Sequence, residues 1–136
     1  QRIQTLYILL GTILFFLMFF QIPFFICDIC SEHIYIYNTY FSFFWITLFL
    51  LVSIISILLF NNRKKQTQYL NANMLNMLLF FIIMYTFYIF LGKNHDSYVI
   101  NYLFIVAYII SLCFLFLARR AIKMDDDLIK SIDRIR

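Results

Sequence analysis

The chain has 136 residues, 64% of them hydrophobic and 13% charged, whereas an ordinary globular domain is about 45 to 50% apolar and about a quarter charged. A soluble domain of this size leaves much of its surface in water and has no core large enough for 18 Phe and 10 Tyr, so the excess must face lipid. The net charge of +4 does not point to nucleic acid, because the basic residues flank apolar runs and do not cluster with interleaved aromatics.

A hydrocarbon core about 30 Å thick takes about 20 residues of helix. Four stretches without Lys, Arg, Asp or Glu are that long: Ile3 to Cys27, Ile34 to Asn62, Gln66 to Gly92 and Ser97 to Ala118. They predict spans at Leu6–Ile26, Tyr40–Phe60, Met74–Leu91 and Tyr98–Ala118. The first is not read as a cleaved leader. Its apolar run is too long, and Pro23-Phe24-Phe25-Ile26 offers no small-residue cleavage site. Pro23, which cannot donate to the Phe19 carbonyl, is expected to kink the outer third of this helix.

Orientation follows from the short loops, since Lys and Arg resist translocation. One side collects Arg2, then Arg63, Lys64 and Lys65, then Arg119, Arg120, Lys123, Lys130, Arg134 and Arg136; the other has only Lys93. Both ends of the chain are therefore expected on the cytoplasmic side. Short loops make consecutive helices antiparallel neighbours, giving two hairpins side by side. The expected fold class is all-α, with residues 1–118 as a four-helix transmembrane bundle and 119–136 as a cytoplasmic tail.

Polar residues inside the spans are expected to bond between helices. Ser53 and Ser56, and Asn73 and Asn76, lie one turn apart and so share a face. No Asp, Glu, Lys, Arg or His falls in a span core, which disfavours ion or proton-coupled transport, and there is no inverted pair of Gly- or Pro-broken helices of the kind many carriers use.

Cys27-Asp28-Ile29-Cys30 is a C-x-x-C at the outer end of the first span, where two thiols could cycle with a disulfide. A four-helix membrane protein with this placement resembles the quinone-coupled thiol oxidases. Those enzymes need a second cysteine pair on the same side, and the second outer loop, Gly92 to Ser97, has none. Cys27, Cys30, His33 and His95 would also make a Cys2His2 metal set. The reading adopted is two small apolar thiols and two solvated histidines, with no metal and no cofactor.

The tail carries the densest pattern. Asp125-Asp126-Asp127 is expected to cap and open a separate short helix. Leu128, Ile129, Ile132 and Ile135 form its apolar stripe, and Asp126 with Lys130 an i,i+4 pair. Arg119, Arg120 and Lys123 are placed at the inner headgroups. Beyond them the stripe suits a protein groove or the lipid surface.

Two segments carry a family resemblance: Gln1-Arg2-Ile3-Gln4-Thr5-Leu6-Tyr7, and Ala118-Arg119-Arg120-Ala121-Ile122-Lys123 continuing to Arg136. They resemble a family of small four-helix inner-membrane proteins of Bacteroidetes that carries only a domain-of-unknown-function label. The resemblance spans essentially the whole chain and implies that the tail is a family feature. It implies no activity, and Cys27 and Cys30 lie outside its pattern.

The expectation from these observations is a non-enzymatic accessory or scaffold subunit of a larger membrane complex, with a role in envelope biogenesis or protein translocation. Its partners would be the lipid bilayer and other membrane proteins, with no nucleic acid. A thiol oxidoreductase using Cys27 and Cys30, and a carrier of lipid or small solute, are the alternatives.

Overall fold

Alternating three- and four-residue spacing runs through the buried positions of every helix. In the computed structural model, which describes residues 2–27, 33–34, 40–92 and 98–133, the helices are α1 (Arg2–Gln21), α2 (Tyr40–Leu58), α3 (Arg63–Gly92) and α4 (Tyr102–Asp133). α1 buries Gln4, Ile8, Gly11, Phe15 and Met18, while α2 buries Ser42, Ile46, Phe49, Ser53 and Ser56. α3 buries Gln66, Leu70, Asn73, Met77, Phe80 and Met84, and α4 buries Phe104, Tyr108, Ser111, Leu115, Ala118 and Ile122. A mean spacing of 3.5 keeps one narrow seam facing the neighbouring helices, as in a coiled-coil-like bundle.

The seam differs from that of a soluble bundle in what it admits beside its Phe, Leu, Ile and Met. Gln4, Ser53, Ser56, Gln66, Asn73 and Ser111 are inside, while Leu6, Phe44, Leu51, Leu58, Ile82, Phe90 and Leu103 are exposed. A lipid surround accepts large apolar side chains, so they need not be buried, and polar groups turn inward to bond between helices. α1, α3 and α4 are long and apolar enough to cross a membrane, while the apolar stretch of α2 over Ser42–Leu58 is shorter.

The pairwise contacts fix the helix directions. Phe15 meets Phe49 at 4.3 Å and Phe19 meets Phe43 at 6.1 Å, so α2 descends as α1 rises. Asn73 bonds Ser53, and Phe81 lies 5.0 Å from Tyr108, so α3 packs against both α2 and α4. The most extensive contacts are between α1 and α4 and between α2 and α3. Phe15, which also meets Phe80 at 6.0 Å, joins α1, α2 and α3 at the centre.

At one end, the sheet end, a three-stranded antiparallel sheet is formed by β1 (Phe25–Cys27), β2 (His33–Ile34) and β3 (Tyr98–Ile100), in the order β2-β1-β3. Pro23 ends α1 where a kinked continuation was expected. The last helical-type bond is Ile22 N–H to Met18 O at 3.2 Å, after which proline has no N–H to give and disfavours helical backbone in the residue before it. The chain then enters β1 through Phe25 and Ile26, a β-favouring pair. Similarly, Tyr98, Val99 and Ile100 form β3, and α4 begins only at Tyr102.

The second departure from expectation is the tail. It is no separate helix: α4 runs unbroken from Tyr102 to Asp133, 32 residues, and Asp125 to Asp127 lie within it. No Gly or Pro occurs between Tyr102 and Asp133, and extending a formed helix costs far less than nucleating another.

Candidate membrane-surface and docking site

The end opposite the sheet, the basic end, gathers the charged side chains among the described residues. Three segments meet there: the start of α1, the start of α3 and the last part of α4. The turn after α2 is short, with Asn62 N–H bonded to Leu59 O at 2.9 Å, and Asn62 then caps α3 by accepting from Lys65 N–H at 3.3 Å. This brings Arg63, Lys64 and Lys65 to the level of the α4 tail.

The three aspartates face different surroundings. Asp125 accepts a hydrogen bond from Gln4 Nε2, which also donates to the Ala121 carbonyl at 3.4 Å, fixing the tail to α1. Asp126 faces α3 and pairs with Lys130 at 2.6 Å, the expected i,i+4 partner. The hydrogen bond from Lys130 holds the Asp126 carboxyl below its ordinary value of 3.8, opposed by partial desolvation and reinforced by the charges of Lys130, Arg63 and Lys64. Asp127 is exposed.

Of the basic residues placed at the headgroups, Arg120 and Lys123 are exposed and Arg119 is half-buried. Arg119, Arg120 and Lys123 share a shallow hollow on α4 with Phe116 and Met124. Leu128 and Ile129 remain 61% and 43% exposed. The side chain of Ile132 and all of Ile135 lie outside the described residues, as do Cys30, His95 and the side chains of Cys27 and His33, so the redox pair and the Cys2His2 set do too. Among the described residues no group of three His, Cys, Asp or Glu is placed to hold a metal.

Sequence reasoning did not connect Gln4, Arg63 and Lys64 with the tail acids. The signal was present: a four-residue turn returns the Arg63-Lys64-Lys65 run to the end of the bundle that holds Asp125 to Asp127, and opposite charges on one face of a bundle attract.

The interior polar positions are a second candidate. Asn73 Nδ2 donates to Ser53 Oγ at 2.6 Å across α3 and α2, and Ser111 Oγ donates to Gly11 O at 2.8 Å across α4 and α1. Thr12, Thr47 and Thr86, expected to bond between helices, bond instead to carbonyls of their own helices at 2.8 to 2.9 Å. Asn101, also expected in such a role, caps α4 through Leu103 N–H at 3.0 Å and donates to Pro23 O at 3.1 Å. The Asn73–Ser53 and Ser111–Gly11 bonds hold helices together.

Residues 1–135 match the sequence model of the family described as Domain of unknown function (DUF4293), and the chain belongs to that family. Comparison with the curated proteins and with the solved structures finds no match.

Proposed function

We propose that this member of the DUF4293 family is a non-catalytic accessory or scaffold subunit of a larger complex in a bacterial inner membrane. In this reading four helices cross the bilayer as two antiparallel hairpins, with the basic end in the cytoplasm. The ten-to-one distribution of Lys and Arg between the two ends supports that orientation. A Bacteroidetes origin and a role in envelope biogenesis or protein translocation belong to the same reading.

The observation that carries it is the projecting end of α4. A helix that needed only to cross could stop near Arg119 and Arg120. Here it continues past them with Asp125 bonded to Gln4 of α1 and Asp126 paired with Lys130 of the same helix, presenting exposed Leu128 and Ile129. With Ile132, four and three residues further along the sequence, they follow the spacing of anchors for a partner's groove.

The test is the size of the assembly. The tagged chain, extracted in mild detergent after cross-linking in cells, should migrate with other membrane proteins, and Leu128→Glu with Ile129→Glu should release them. A wild-type chain that migrates alone, or only with copies of itself, refutes the reading. Replacing Cys27 and Cys30 by Ser should leave disulfide formation in the periplasm unchanged; a clear defect would establish the thiol oxidoreductase instead.

A further inference from the structure

The cleft between the start of α3 and the tail of α4 is lined by Arg63 and Lys64 from one helix and Lys123, Asp126 and Lys130 from the other, with Thr67 and Gln68 at its wall. Four cations face it against one carboxylate. Asp126 is engaged with Lys130, and the Thr67 hydroxyl donates to the Arg63 carbonyl at 2.9 Å. The Arg63 guanidinium, by contrast, has one nitrogen, Nη1, buried with no partner among the described residues. The guanidinium of a residue that lines the cleft is a planar donor group matched to phosphate oxygens.

We infer that this cleft holds the phosphate of an anionic phospholipid, with Arg63, Lys64 and Lys123 as its cationic walls. This goes beyond the accessory-subunit reading and stands independently of any protein partner.

Two observations favour a lipid headgroup over free phosphate. Lys123 lines both the cleft and the neighbouring hollow formed with Phe116, Arg119, Arg120 and Met124, so the cleft is continuous with a face that offers apolar surface to an acyl chain. The depth also fits. Gln4 bonds Ala121 and Asp125, which sets its neighbour Ile3, 65% exposed, at the level of the cleft. Exposed apolar surface therefore continues to this depth, where the headgroup layer begins. Basic clefts between membrane helices on the cytoplasmic side are suited to such headgroups.

The test uses the full chain reconstituted in phosphatidylcholine vesicles containing spin-labelled phosphatidylglycerol, with spin-labelled phosphatidylcholine as reference. The immobilised fraction should show a preference for the anionic lipid. Lys64→Gln and Lys123→Gln should each lower that preference about fivefold, the effect of one cation at an anionic surface, and Lys123→Arg should restore it. Lys65→Gln, whose side chain lines a different hollow with Tyr69 and Ala72, should change it little. Equal losses from Lys64, Lys65 and Arg120 variants would mean only a diffuse field and overturn the site. So would a wild-type chain without preference, or one whose bound lipid is displaced by millimolar inorganic phosphate.

Discussion

The Ser111 hydroxyl donates to the Gly11 carbonyl at 2.8 Å, and this contact sets how closely α4 and α1 approach. A Cβ on Gly11 would stand 3.3 Å from both Phe114 Cβ and Ser111 O, tighter than ordinary contact. Gly11→Ala should be close to neutral, because about 1 kcal/mol of helix propensity offsets the crowding. Gly11→Leu should destabilise by about 1 to 3 kcal/mol through overpacking. Thermal unfolding in detergent, followed by circular dichroism, reads both; a Leu variant as stable as wild type would mean the two helices are farther apart.

The Asn73–Ser53 bond makes a sharper test of the α2–α3 seam. A double-mutant cycle with Asn73→Ala and Ser53→Ala should give a coupling of about 0.6 kcal/mol, and no more than about 1.7, the range measured for such pairs in a membrane protein. Zero coupling would remove this bond from the packing.

Asn101→Ala should cost about 0.5 to 2 kcal/mol as a lost helix cap. Because Asn101 also holds Pro23 O and bonds Phe24 O through its N–H, hydrogen exchange should accelerate at both Leu103 and Ile26. Acceleration at Leu103 alone would show that the cap does not support the sheet.

Asp126 provides a pH signature. Its carboxyl is held below 3.8 by Lys130, then by the charges of Lys130, Arg63 and Lys64. A depressed carboxyl contributes stability that is present above its unfolded value and lost as pH falls through the folded one. The Asp126–Lys130 pair within α4 should therefore persist down to about pH 4 and be lost only in stronger acid. Asp126→Asn reproduces the neutral form at pH 7 and frees Lys130 from its pair. It should raise the preference for phosphatidylglycerol; a lowered preference would show that Asp126 is needed to shape the cleft.

Topology is tested by single cysteines at Asn62 and Asn94 in a chain whose own cysteines are replaced. Impermeant maleimide should reach them from opposite sides of the membrane. Labelling from the same side would refute the crossing of α3.

The helices were legible in the sequence because charge-free length and the bilayer's thickness set them almost alone. Their inner faces were half legible. Ser53 and Asn73 marked the buried seam, since in lipid a polar residue turns inward, but the surrounding Leu, Ile and Phe are equally apolar on all sides and give no stripe to read. The sheet was hidden for a related reason: Phe25–Cys27 and Tyr98–Ile100 are as apolar as the spans they adjoin, and hydropathy does not distinguish a strand from a helical turn. Asp125 to Asp127 were misplaced because three acids imitate a helix start, and the sequence does not show that α4 is already under way.

The unbroken α4 is about 48 Å long at 1.5 Å per residue, with Asn101 at one end and Leu128 near the other. Between those ends the same helix is bonded to α1 at two levels, by Asp125 with Gln4 and by Ser111 with Gly11. One helix axis thus carries the contacts that close both ends of the bundle: Asn101 with Pro23 O and Phe24 O beside β1, and Asp125 with Gln4 at the basic end.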